Sequence, residues 1–154
     1  MDGMISIGIE FSTQSVKTVA LDLRSGAMVF SDTFEYDSVF PEYKTVGGIL
    51  PSEFSEIRHT SPLMLLEAMD YCFKRLSGNM DLSRAGAIKV DAMQHCSVYV
   101  KSGFQDSLRA LNQDYSLVDQ LAGCFSRSTC PTWEDRSTGD EAGYLSNTLE
   151  QMGG

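Results

Sequence analysis

Three short stretches carry residue types suited to chemistry. The first is Glu10-Phe11-Ser12-Thr13-Gln14-Ser15-Val16-Lys17, a hydroxyl-rich segment between a carboxylate and an ammonium group. Backbone N–H groups and hydroxyls gathered in such a turn can hold a phosphate, and a neighbouring carboxylate can hold its metal. The second is Gln94-His95-Cys96-Ser97, whose amide and imidazole can donate to and accept from sugar hydroxyls. The third is Trp133-Glu134-Asp135-Arg136, which offers an apolar ring face for the carbon side of a sugar. Each has a plain structural alternative: a hairpin turn, a satisfied histidine, and a loop tied by an Asp135–Arg136 charge pair. A Cys96–His95 nucleophilic pair is disfavoured, because neighbours along a strand point to opposite faces.

The elements that must position these residues follow from periodicity. Apolar, β-branched runs flank the first stretch, so Ile5 to Leu23 reads as strand, turn, strand. Arg24-Ser25-Gly26-Ala27 is a second turn, and Met28 to Tyr36 alternates as a third strand that only Asp32 interrupts. The three make an antiparallel meander. Asp37 to Glu53 holds Pro41, Pro51 and Gly47-Gly48 without clean periodicity, and reads as a functional lid or as a surface excursion. A helix is expected from Pro62 to Leu76, capped by Ser61 and stopped by Gly78, with Leu65, Met69, Cys72, Phe73 and Leu76 on its core face.

Ala87 to Met93 reads as a central, parallel strand, which makes the helix a βαβ crossover and the class α/β. Gln94 and His95 then fall at the carboxyl end of that strand, where open α/β sheets bind ligands. A short strand is expected at Ser97 to Val100, helical turns at Phe104 to Leu111 and Leu117 to Cys124, and a last helix from Gly139 to Met152.

Composition bounds the function. The 154 residues suit one domain, and 42% hydrophobic content suffices for a core. A formal charge of −9, with no cluster of Lys or Arg, argues against nucleic acid as the main partner. Cys72, Cys96, Cys124 and Cys130 include no CxxC pair, and neither His59 nor His95 stands at zinc-ligand spacing from them. Free thiols, with no leader or membrane-spanning run in the sequence, point to the cytoplasm.

In their order along the chain, these stretches resemble the FGGY carbohydrate kinases, and most closely the xylulokinase-like branch. The resemblance rests on Ile7-Gly8-Ile9-Glu10-Phe11-Ser12-Thr13-Gln14-Ser15-Val16-Lys17, Phe40-Pro41-Glu42-Tyr43 with Gly47-Gly48, Thr60-Ser61-Pro62, Met93-Gln94-His95-Cys96-Ser97-Val98-Tyr99 and Trp133-Glu134-Asp135-Arg136-Ser137-Thr138. It implies an actin/hexokinase-like (ribonuclease H-like) fold whose two domains close over ATP and a ketose. It implies that Ser12, Thr13, Gln14 and Lys17 meet the ATP phosphates. Glu10 would organise Mg²⁺ through water, and Gln94, His95 and Trp133 would contact the ketose.

Two departures qualify that expectation. Glu10 stands where the family usually has aspartate, and the added methylene displaces the carboxylate. The resemblance also covers only the front part of a family member, residues 1–154 being the N-terminal portion of its first domain. The family's general-base aspartate, second phosphate loop and adenosine pocket lie further on, and neither Asp91 nor Asp135 matches that base. Phosphoryl transfer needs nucleophile, metal and nucleotide together, so the chain alone is expected to be inactive. A non-catalytic sugar-binding or regulatory remnant is the rival reading. A structural fragment that dimerises through an open sheet edge is another.

Overall fold

The computed structural model describes residues 3–153. Strict alternation builds β1 (Ile5–Phe11), in which Ile5, Ile7, Ile9 and Phe11 are buried and Glu10 is exposed on the other face. The chain turns through Ser12-Thr13-Gln14 and returns antiparallel as β2 (Ser15–Asp22), which sets Glu10 opposite Lys17. β3 (Met28–Glu35) completes the expected meander. Asp32, the residue that breaks the pattern, sits on the same face as Phe30 and Phe34, where an ion pair with Arg75 answers its charge. Tyr36 is not the end of that strand. It opens a one-turn helix, α1 (Tyr36–Val39), and is fully buried.

A two-residue strand, β4 (His59–Thr60), precedes the main helix, α2 (Pro62–Asn79). Ser61 caps α2 by accepting from the Met64 N–H, as expected from the sequence. The helix runs past Gly78, which lies in ordinary helical backbone, and ends where Met80 turns extended. Its fully buried line is Met64, Ala68, Cys72 and Leu76, with Leu65, Met69 and Phe73 flanking rather than forming the centre. The Cys72 thiol also satisfies the buried Thr18 hydroxyl of β2 at 3.1 Å.

α2 is the crossover to β5 (Ala85–Ala92), which runs parallel to β1 as expected. Its place is not central. The sheet order is β3-β2-β1-β5, so β5 is an edge among the described residues. α2 lies over the meander and leaves β5 uncovered, with Ile88 49% and Val90 44% exposed beside an apolar groove of about 500 Å³.

Beyond β5 the expected strand at Ser97 to Val100 does not form; only Val100 makes a single bridge, to Phe125. Short helices α3 (Phe104–Arg109) and α4 (Leu117–Leu121) follow, then β6 (Cys130–Pro131), which pairs with β4. The last helix, α5 (Gly139–Gln151), buries none of its side chains. No helix among the described residues is long and apolar enough to cross a membrane.

The long loop after β3 is neither a free lid nor a loose excursion over its first half. The Asp37 carboxylate gathers it by accepting from Thr45 Oγ1 at 2.6 Å, Gly47 N at 2.6 Å and Gly48 N at 3.1 Å. Burial opposes ionisation of Asp37, but the Thr45 hydroxyl and the two glycine N–H groups outweigh it and hold the carboxyl below the usual range. Gly48, at φ +78°, is buried against the turn between β1 and β2, where a Cβ would overlap the Thr13 carbonyl oxygen. Gly48→Ala is therefore expected to cost at least about 2 kcal/mol, from left-handed strain and overlap together. Urea unfolding measures this, and a wild-type midpoint for the variant would refute the close approach.

Candidate active-site cleft

The turn between β1 and β2 is held from behind. Tyr36 donates its backbone N–H to the Gln14 carbonyl at 3.0 Å and its phenol O–H to the Ser12 carbonyl at 3.1 Å. Gly48 packs on the third carbonyl, that of Thr13. Burial, then the nearby Cys96 thiol, raises the Tyr36 phenol far above its ordinary value, so it stays a donor at any working pH. Inside the turn, Ser12 N–H and Ser12 Oγ both donate to the Ser15 carbonyl at 2.9 Å, and Ser15 N–H donates back to Ser12 Oγ. These bonds use neither the Thr13 nor the Gln14 N–H. Turn amides that no protein acceptor uses are the groups such a turn can offer to an anion.

Trp133 stands over this turn, donating its indole N–H to Thr13 Oγ1 at 3.2 Å. The Thr13 hydroxyl accepts that bond and keeps its own proton to offer elsewhere. The Trp133 ring is 60% exposed, which leaves a face open to a ligand. A net of short bonds to the β4 end fixes the segment behind it. Thr132 Oγ1 donates to the Arg58 carbonyl at 2.8 Å, and the Arg58 N–H donates to Asp135 Oδ2 at 2.9 Å. Asp135 meets His59 Nε2 at 3.0 Å, and Glu134 pairs with Arg58 at 3.1 Å. The expected Asp135–Arg136 charge pair does not form: Asp135 ties the segment to β4 through His59 and to the Arg58 N–H, and Arg136 contributes its backbone N–H to the Glu56 carbonyl at 2.9 Å.

Glu10, Ser12, Thr13, Gln94, His95 and Trp133, six of the residues singled out from the sequence, line one cleft of about 320 Å³. Gln94 and His95 reach it on a tight turn after β5, where His95 takes a left-handed φ of +54°. Gln14 and Lys17 are not among its lining residues. Gln14 is exposed beside Gly47, and Lys17 reaches Glu10 across the strands at 3.6 Å, with both side chains about half exposed. Such a pair contributes little to stability.

The cleft also contains Asp91, which sequence reasoning considered only as a base and set aside. Parallel pairing places Asp91 beside Glu10, so Lys17, Glu10 and Asp91 form one row across three strands. Period-two alternation along β5 could have signalled this face, but only the register makes Asp91 a neighbour of Glu10. Among the described residues no group of three His, Cys, Asp or Glu side chains could hold a metal ion. Two carboxylates in a row suit a cation that keeps most of its water.

Comparisons with known proteins point one way. The chain is 37% identical over 134 residues to the xylulose kinase of Mus musculus, covering 86% of this chain and 24% of that protein. It is 34% identical over 145 residues to xylulose kinase 2 of Arabidopsis thaliana, covering 93% and 26%. It thus spans about a quarter of the length of the curated relatives it matches. No protein-family model matches. Among solved structures, xylulose kinase from Rhodospirillum rubrum superposes with a TM-score of 0.63 at 16% identity, over 94% of this chain and 23% of that one. Gluconate kinase from Lactobacillus acidophilus gives 0.62 at 17%, over 94% and 23%. The fold is the expected actin/hexokinase-like one, α/β with a mixed sheet.

Trp133 is the one tryptophan in the sequence, so its emission reports on the cleft directly. Burial opposes ionisation of Asp135, but the Ser137 hydroxyl, the Arg58 and Ser137 N–H groups and His59 hold its carboxyl below the usual range. A lowered folded pKa gives stability that is complete above the ordinary carboxylate range and lost as pH falls through the folded value. Asp135→Asn is expected to show, at neutral pH, the shifted Trp133 emission that wild type shows only in acid. Emission that follows the same acid curve in both proteins would refute this.

Proposed function

Because the chain belongs to the xylulose kinase family of carbohydrate kinases, we propose that it forms the N-terminal portion of the first domain of a pentulokinase. The reaction is transfer of the γ-phosphoryl group of ATP to xylulose or a similar ketose. The observation that carries this reading is the convergence of Ser12, Thr13, Gln94, His95 and Trp133 on one cleft.

Each residue then has a part. The unused Thr13 and Gln14 N–H groups and the Thr13 hydroxyl would bind phosphate oxygens, with Ser12 shaping the turn and Lys17 as the basic neighbour. Gln94 and His95 would hold ketose hydroxyls, and the Trp133 ring would cover the carbon face. Mg²⁺ fits as an ion held through water by Glu10, with Asp91 beside it, since this cation commonly uses one or two carboxylates and keeps its waters. When bound, the ion neutralises phosphate charge. Acidic composition and four free cysteines support a cytoplasmic location.

Turnover requires more than this chain. The cleft's carboxylates are Glu10 and Asp91, paired in one row, and its lining offers no third carboxylate to serve as base for the sugar hydroxyl. We place the remainder of the kinase against the uncovered edge of β5, where Ile88 and Val90 are exposed. Without it, the same edge would support a homodimer. The Glu10–Lys17 pair favours a second reading, a sugar-binding remnant in which the ammonium occupies the metal's carboxylate.

A chimaera separates the two readings. This chain replaces the matched segment of the mouse enzyme, and xylulose-dependent ADP release is measured. Activity is expected, and Gln94→Ala should lower kcat/KM roughly tenfold to a hundredfold, the worth of about 1–3 kcal/mol of lost hydrogen bonding. A folded chimaera that stays inactive, even with Glu10→Asp, would favour the remnant. Robust ADP release from the 154-residue chain by itself would overturn the incompleteness argument.

A further inference from the structure

Cys96 and Cys130 stand next to the two segments that bring Gln94–His95 and Trp133 to the cleft. Cys96 follows the Gln94–His95 turn directly, and Cys130 lies three residues before Trp133. The residues after each cysteine are tied together, Ser97 N–H donating to the Pro131 carbonyl at 3.3 Å. That tie brings the two thiols close enough for each to act on the other's ionisation. Cys130 is buried at 1% exposure and fixed by strand pairing with Thr60, whereas Cys96 is half-buried and lines the open apolar groove.

The other two cysteines are engaged elsewhere. Cys72 is buried against Thr18, and the Cys124 thiol donates to Ser107 Oγ at 3.4 Å. We propose that Cys96 and Cys130 form a peroxide-sensitive dithiol, a modification site whose reversible disulfide clamps the Gln94–His95 turn to the short strand that leads to Trp133.

The chemistry balances with a peroxide as oxidant. The Cys96 thiolate attacks one peroxide oxygen, the O–O bond breaks, and the leaving hydroxide takes a proton to become water. Cys130 then attacks the sulfur of the resulting sulfenic acid, the S–S bond forms, and the S–O bond breaks. The departing hydroxide takes the Cys130 proton as a second water. Two thiols lose two electrons in total and the peroxide gains them; a dithiol reductant reverses the step.

The roles of the two sulfurs follow from their surroundings. The Cys130 thiol donates to Cys96 and holds it below the ordinary thiol range, against the effect of burial. The same bond, then burial and the Cys96 charge, push Cys130 well up. Cys96, half-buried on the open groove, is the sulfur a peroxide can reach and so the attacking one, and Cys130, buried behind it, is the resolving one. A bond of this kind in a reducing compartment is transient and regulatory rather than structural.

Its effect on sugar binding rests on the ketose-site reading, but its formation does not. The test is therefore chemical. The full chain is treated with hydrogen peroxide, alkylated with N-ethylmaleimide after denaturation, digested without reductant and mapped by mass spectrometry. A single Cys96–Cys130 linked peptide is expected, with Cys72 and Cys124 alkylated and the Cys96 and Cys130 thiols released by dithiothreitol. Cys130→Ser should instead leave Cys96 as a sulfenic acid trapped by dimedone, while Cys96→Ser should leave Cys130 unoxidised. In denaturant the pairing should become indiscriminate. Four alkylated cysteines after peroxide, or a linkage involving Cys72 or Cys124 in the native chain, would overturn the proposal.

Discussion

Everything in the cleft depends on how the Ser12-Thr13-Gln14 turn presents its backbone, and Tyr36 decides that. A buried tyrosine binds two of the turn's carbonyls, one through its amide and one through its phenol. Gly48 closes on the third at a distance that only a residue without Cβ permits. The carbonyls of the turn are therefore committed to the protein, while its own bonds leave the Thr13 and Gln14 N–H groups unused. Breaking either Tyr36 bond leaves a carbonyl without its partner inside the fold, which costs more than the bond itself is worth. Asp37 acts one step earlier by gathering Thr45, Gly47 and Gly48 into place. An apparently irregular loop is in this way the foundation of the turn.

The two faces of the sheet have different logic. On the α2 side, burial of Ile5, Ile7, Ile9, Phe11, Met64 and Leu76 stabilises the meander and makes β1 a fixed reference for its neighbours. On the other side the same alternation lines up Lys17, Glu10 and Asp91 as a charged row. The second wall of the cleft comes from far along the chain. It is held by hydrogen bonds of Arg58 and His59 with residues 132–135, and Trp133 stays exposed over the turn.

How much of this was legible in the sequence varied with the range of the interaction. The meander, the Ser61 cap and the parallel sense of β5 are local or near-local consequences of period and turn chemistry. Gln94, His95 and Trp133 were found as types and then by resemblance, and the fold brings them together. Most of the misses are matters of register or of what lies across a gap. Asp91 becomes a neighbour of Glu10 only through parallel pairing, and Asp135 finds His59 and not its neighbour Arg136. β5 looked central because its apolar run is strand-like, yet Ile88 and Val90 are open to solvent. Periodicity records that a strand expects two covered faces, not whether this length of chain supplies them. Gly78 looked like a stop, but it lacks the left-handed backbone that would end a helix.

The central claim is that the turn, Gln94, His95 and Trp133 constitute a ketose site, and Trp133 is its built-in probe. The most direct measurement is titration of the chain with D-xylulose while following Trp133 emission, with sucrose as the bystander sugar. The account predicts a saturable change with a dissociation constant in the millimolar range, about −4 kcal/mol for a half-built site, that is lost in His95→Ala. A linear drift shared by both sugars, or an unchanged response in His95→Ala, would contradict it.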